Sequence, residues 1–172
     1  QKSDGKFHLF KSFNFCSFSG ILGPKKKRGD GQIPEGVYFI DRFNPWSSFH
    51  LSLGINYPNK ADKIHRKHDD LGGDIFLHGN CVTIGCIPIT DDLIKELYII
   101  CVESKNNGHN IPVHIFPFNM NVDLKGIASY KDFTEGSEAL WPNLKSIYLN
   151  FEKNHTLEKI TIDSKGKYQI NQ

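Results

Sequence analysis

Two side chains in this sequence, His78 and Cys86, stand where each could change the chemistry of the other. An apolar run, Ile75-Phe76-Leu77, delivers His78-Gly79; a short polar loop then leads into Thr83-Ile84-Gly85-Cys86, and apolar sequence resumes at Ile87. Such a layout is expected to place an imidazole and a thiol at the same end of adjacent elements. A free thiol with a pKa near ~8.5 is only a few per cent thiolate at neutral pH, so it needs a partner that takes its proton or stabilises its anion. His78 is the candidate general base. Gly85 lets the backbone turn sharply and bring amide N–H groups toward a reacting carbonyl, an oxyanion site in which each donor is typically worth about 3 kcal/mol of barrier. Thr83 offers a hydroxyl that could orient the imidazole or the substrate. Together these parts suit acyl transfer from an amide through a Cys86 thioester.

Two other readings of the same residues stay open at this level. His65 and His68, with His78, Cys81 and Cys86, contain enough nitrogen and sulfur ligands for a tetrahedral zinc, although an acidic loop separates the two histidine groups. Alternatively, His78 and both thiols are structural. The four cysteines do not amount to a disulfide framework at this length. Cys101 follows Leu93 and Leu97 at intervals of four and is expected on the buried face of a helix. Cys16 lies in an alternating run and is expected to be structural. Cys81 could pair with Cys86 and silence it in an oxidising compartment.

The elements that must carry these residues predict a mainly β fold with inserted helices, an α+β arrangement. Phe7 to Phe10 and Phe13 to Phe18 alternate as strands do. Gly36 to Ile40, Phe49 to Leu53, the run ending at His78, and Ile111 to Phe116 read as further strands. Thr90 is an N-cap candidate with Asp91 and Asp92 in the first turn, opening a helix to about Ser104. A polar loop spans 56–73, a second helix is expected over 135–152, and the last segment reads as a hairpin turning at Lys165-Gly166.

Composition bounds the function. The 172 residues are enough for one domain with a sizeable core, and 38% hydrophobic with 12% aromatic residues exclude a disordered chain. Thirteen Phe against one Met point to a core of aromatic and β-branched side chains. A net charge of +2 is too small to argue for a nucleic-acid partner. No apolar run approaches the roughly 18 residues of a membrane span. The basic run Lys25-Lys26-Lys27-Arg28 reads as a solvated loop, with contact to an anionic polymer as the alternative.

The motif His78-Gly79 followed by Thr83-Ile84-Gly85-Cys86-Ile87 resembles the signature of L,D-transpeptidase catalytic domains, the YkuD-type fold. The wider sequence is similar to the YafK-like branch at Gly23-Pro24-Lys25, Gly29-Asp30-Gly31-Gln32, Pro34-Glu35-Gly36-Val37-Tyr38, Tyr57-Pro58-Asn59 and Ile111 to Pro117. The resemblance covers roughly residues 5 to 120. It implies a YkuD-type β-sandwich or barrel-like catalytic core over 1–120, with 121–172 a helix and hairpin extension of the same domain. It implies Cys86 as nucleophile, His78 as general base, Thr83 as the motif hydroxyl and the amides around Gly85 as the oxyanion site. No cofactor is implied. The implied partners are peptidoglycan stem peptides, with a wall-anchored protein as a further acceptor or substrate, at a periplasmic or cell-envelope location whose targeting segment is not in this chain. Gly79, His50, Tyr57 and Asp74 are the candidate substrate-binding residues, the last three because they are polar or aromatic near strand ends. Ile84 stands where most of the family has a second His, and Pro88 where most carry an Arg. These departures bear on the substrate more than on the nucleophile. A wall-binding module without turnover is the remaining alternative.

Overall fold

The computed structural model describes residues 2–65, 69–123 and 136–171. A small hairpin, β1 (Lys2–Ser3) and β2 (Lys6–Phe7), opens the chain, and no regular element follows until β3 (Gly36–Asn44). Then come β4 (Ser52–Ile55), α1 (Lys60–His65), β5 (Phe76–His78), β6 (Ile87–Pro88), α2 (Asp91–Asn106) and β7 (Pro112–Ile115). The chain closes with α3 (Ser137–Asn154) and the hairpin β8 (Lys159–Ile162) and β9 (Tyr168–Asn171). Five strands form one sheet in the order β6-β5-β4-β3-β7. Its pairings are antiparallel except for β5 with β6, which is parallel. The fold is therefore mainly β with inserted helices, as the hydrophobic pattern predicts.

Alternation along β3 turns Tyr38 and Ile40 into a core shared with Leu53, Ile55, Tyr57, Ile75, Ile89, Ile94 and Cys101. The last two lie on α2, which begins at Thr90 as expected, although the Thr90 side chain makes no capping bond. Burial pushes the Cys101 thiol up to about 11, which leaves it an inert small hydrophobe. A second cluster gathers Ala61, Met120, Trp141, Leu144, Ile147 and Tyr168. The boundary expected near residue 120 runs through this cluster. Hydrogen bonds reinforce it: Asn143 bonds both the amide and the carbonyl of Tyr168 at 2.8 Å, and the Tyr168 hydroxyl accepts from Asn59 and from the Val37 amide.

Several sequence expectations change. Of the aromatic alternation over 7–18, only Phe7 enters a strand. Leu9, Phe10, Phe15 and Phe18 stay exposed because no sheet edge receives them, and alternation makes a strand only where a pleated neighbour pairs with it. This arm is held instead by a disulfide between Cys16 and Cys81 and by the Cys16 amide donating to the Pro88 carbonyl. Cys16, expected to be structural by packing, is thus structural through a disulfide, and the Cys81–Cys86 pair is not formed: Cys86 and Cys101 are free. The strand expected from Phe49 starts only at Ser52, since His50 has φ 75 in the left-handed region. The polar loop over 56–73 contains α1. Glu135, the expected start of the second helix, lies outside the described residues.

The basic run is the largest correction. Lys25 is not solvated; its side chain is only 4% exposed, and Nζ donates to Asp30 Oδ1 at 2.5 Å and to the Lys27 carbonyl at 3.0 Å. Asp30 also accepts the amides of Lys26, Lys27 and Gln32. Gly29 and Gly31, at φ 73 and 71, supply the left-handed backbone that folds the loop around this carboxylate. Burial, the largest influence on the Asp30 carboxyl, pushes its pKa up, but the ammonium and the three amides together outweigh it and hold it below the usual range. Arg28, by contrast, reaches an exposed Asp70.

Removing Asp30 strands a buried ammonium. Asp30→Ala is expected to cost about 3–5 kcal/mol in urea unfolding, against ~0–1 kcal/mol for Arg28→Ala at its exposed pair. Because folding depresses the Asp30 pKa, this contribution is complete above the ordinary carboxylate range and fades as pH falls through the depressed folded value.

Candidate active site

The parallel register of β5 and β6 pairs Leu77 with Ile87 and His78 with Pro88. Continued one step back, it sets Cys86 opposite Phe76. Side chains two apart along a strand share a face, so Cys86 and His78 lie on the same face, offset by about 7 Å along the strands. They do not lie at the same end of their elements, as expected from the sequence: His78 closes β5 and Cys86 opens into β6. The thiol itself is directed toward Asp74, two residues before Phe76.

His78 is buried, with its ring against Phe49 at a centroid distance of 4.9 Å. Its Nδ1 lies 2.5 Å from the Gly79 carbonyl oxygen, which can only accept. The proton therefore sits on Nδ1, and in the neutral ring Nε2 carries the lone pair. Gly79 is required by close packing: a Cβ there would come 2.6 Å from Asp91 Oδ1 and 3.0 Å from Phe49 O and His50 Cβ. Asp91 in turn accepts the Asn80 amide at 2.7 Å, fixing the turn after the imidazole.

The Cys86 thiol is half-buried and donates to the Asp74 carbonyl at 3.5 Å. Asp74, at φ 56, is held by Arg42 at 2.7 Å; Arg42 also lies over the Phe76 ring. Burial pushes the thiol above its ordinary pKa, more than the Phe76 amide and the Lys25 charge pull it down. At neutral pH the resting group is a thiol, which reacts when a base removes its proton.

Thr83 acts on the backbone. Its hydroxyl donates to the Cys86 carbonyl at 2.8 Å and accepts the amides of Gly85 at 3.1 Å and Cys86 at 2.8 Å. Every hydrogen-bonding position of the hydroxyl is thus used to close the turn that presents Cys86. This corrects two expectations. Thr83 does not contact the imidazole, and the amides expected to form the oxyanion site already donate to Thr83. Gly85, at φ 128, adopts a backbone that side chains rarely reach, and a Cβ there would come 3.0 Å from the Gln32 carbonyl.

The remaining candidates divide. His50 is exposed and lies against Gly79, at the rim beside His78. Tyr57 is not a cleft residue: it is 4% exposed, packs edge-on to Tyr38 and donates to the Leu71 carbonyl. The zinc set is not assembled. Cys81 is committed to the disulfide, His65 faces the Gly166 carbonyl of the β8–β9 turn, and His68 lies outside the described residues. Among the described residues no group of three His, Cys, Asp or Glu is placed to hold a metal. Sequence reasoning missed Phe49, Asp91 and the Lys25–Asp30 loop. An acid flanked by glycines directly after four cations was the available sign of the last.

Comparison with known proteins places the chain in a family. The family model described as the L,D-transpeptidase catalytic domain, YkuD, matches residues 8–115. The candidate L,D-transpeptidase YafK of Escherichia coli (strain K12) is 30% identical over 175 aligned residues, covering 98% of this chain and 67% of that protein. Among solved structures, the helical cell shape determining protein Pgp2 of Campylobacter jejuni aligns with 85% of this chain and 62% of its own, at 18% identity and a TM-score of 0.45. Its K307A mutant aligns with 48% of this chain and 32% of its own, at 27% identity and a TM-score of 0.41, so the aligned half of this chain spans about a third of that one. With the family match running through the disulfide, the sheet, His78 and Cys86, the chain belongs to the L,D-transpeptidase catalytic domain family.

Proposed function

We propose that this domain is a cysteine acyltransferase of peptidoglycan, with Cys86 as nucleophile and His78 as general base. The observation that carries the reading is a free, half-buried thiol on the same strand face as an imidazole whose Nδ1 proton is fixed by the Gly79 carbonyl. A nucleophile, a base and a group that orients the base form the logic of a catalytic triad.

In the proposed reaction, Nε2 of His78 accepts the Cys86 proton as sulfur attacks the carbonyl of the third stem residue, a diamino acid. The S–C bond forms, the amide C–N bond breaks, and the proton passes from His78 to the departing D-alanine amine. A thioester remains on Cys86. An amine acceptor then gives a cross-link or a link to a wall-anchored protein, and water gives a hydrolase or carboxypeptidase outcome. Gly79, His50 and Asp74 border the thiol and imidazole and are the proposed substrate contacts. Thr83 and Gly85 set the thiol's position through the turn. A wall substrate places the enzyme in the periplasm or cell envelope, and the Cys16–Cys81 disulfide fits an oxidising compartment. No helix among the described residues is long and apolar enough to cross a membrane.

Mass spectrometry after exposure to a carbapenem tests the nucleophile. Wild-type protein is expected to gain one carbapenem mass on Cys86 as the lactam C–N bond opens, and Cys86→Ala to gain none; an equal adduct on the variant would reject the assignment. Digestion of muropeptides then separates transfer from hydrolysis. The raised thiol pKa sets the pH dependence: alkylation of Cys86 by iodoacetamide should keep rising through and beyond pH 9, the region of an ordinary thiol. A plateau reached near neutral pH would instead mean a preformed thiolate–imidazolium pair. Thr83→Val leaves the Gly85 and Cys86 amides without their acceptor. It is expected to cost about 1–3 kcal/mol in thermal unfolding and to slow adduct formation, whereas Thr83→Ser keeps both near wild type.

A further inference from the structure

We infer that Lys25 forms an anion subsite beside Cys86, which takes the carboxylate of the departing D-amino acid. The inference deepens the proposed function and rests on Cys86 being its nucleophile.

The first support is an incomplete set of hydrogen bonds. An ammonium has three donors. Lys25 is buried, yet only two acceptors among the described residues meet its Nζ: Asp30 Oδ1 and the Lys27 carbonyl. A buried donor left without a partner is costly, so such a group marks a place where something else binds. Asp30 pairs with this charge and also accepts three backbone amides, which fixes the ammonium within the loop.

Position is the second support. One of those amides belongs to Gln32, and the Gln32 carbonyl abuts Gly85, so the loop that folds around Asp30 is packed directly on the turn that carries the thiol. The left-handed Gly85 permits that approach, since a Cβ would press on the Gln32 carbonyl at 3.0 Å. Lys25 is near enough for its charge to favour the Cys86 thiolate, while the other charge acting on the thiol, Asp74, opposes it. Asp74 is itself held by Arg42 at 2.7 Å.

The chemistry of the donor completes the argument. In a D-alanine leaving group the carboxylate is one carbon from the scissile amide nitrogen. When sulfur reaches the carbonyl carbon, that carboxylate must fall close to the thiol, within range of a cation set beside it. Lys25 would act by binding this carboxylate, favouring donors with a free C-terminus over amidated ones.

The test compares two alkylating agents of nearly equal size, iodoacetate and iodoacetamide, on the intact protein. In each, sulfur displaces iodide from carbon; only the first brings a carboxylate. The iodoacetate-to-iodoacetamide rate ratio at Cys86 is expected to be higher in wild type than in the Lys25→Met/Asp30→Asn double variant, which removes both charges together. A fall of roughly tenfold is the scale of one pKa unit of charge interaction. Lys25→Arg keeps the charge and should keep the ratio, and thermal unfolding checks that each variant is folded. A ratio unchanged in the folded double variant, with Cys86 still acylated by a carbapenem, overturns the subsite and leaves the nucleophile standing. Failure of Cys86 to react with either agent or with the carbapenem overturns both.

Discussion

The parallel pairing of β5 with β6 is the constraint on which the site depends. Parallel neighbours normally need a long crossover, yet here residues 79–86 alone return the chain to the start of the adjacent strand. That return succeeds because every step of it is held by polar groups. Asp91 ties the turn after His78, Thr83 closes the turn before Cys86, and Gly79 and Gly85 give up side chains where backbone and carboxylate come too close. Once the register is set, the two-residue period of the strands puts the imidazole and thiol on one face. Shift it by one residue and Cys86 would face the opposite side.

Around this pairing the fold supplies covers. The N-terminal arm contributes few bonds of regular structure and exposes much of its apolar surface, but the Cys16–Cys81 disulfide and the Cys16 amide fasten it to the loop between β5 and β6 and to β6 itself. The following loop folds around Asp30 and rests on Gly85. Glu35 then carries the connection to the far side of the molecule, accepting the Gly23 amide and the Trp141 indole N–H. Acids that each gather several hydrogen bonds, rather than a deep apolar cover, position the loops at this site.

Residue type and spacing made the thiol, the imidazole and the small turn residues legible. His-Gly at the end of an apolar run and Gly-Cys at the start of another are local features, and strand, helix and glycine preferences act locally. The same locality explains what was not legible. Tyr57 sits beside Pro58 in a polar stretch, and its burial in the core arises from β3 and α2, which are remote in sequence. Lys25 belongs to a run of cations that local composition assigns to solvent, and it is buried where its loop folds around Asp30. The disulfide joins residues 65 apart, a pairing that spacing alone does not select.

By itself, then, the sequence determined which groups are available for chemistry and that short apolar runs deliver them, because nucleophilicity, basicity and backbone freedom are properties of single residues. The tertiary structure decided which of those groups meet. It freed Cys86 by giving Cys81 to Cys16, turned Thr83 into the clasp of a turn, removed Tyr57 from the cleft and buried the Lys25 ammonium against Asp30. Those outcomes depend on registers and burial set by segments far apart along the chain, and no local pattern encodes them.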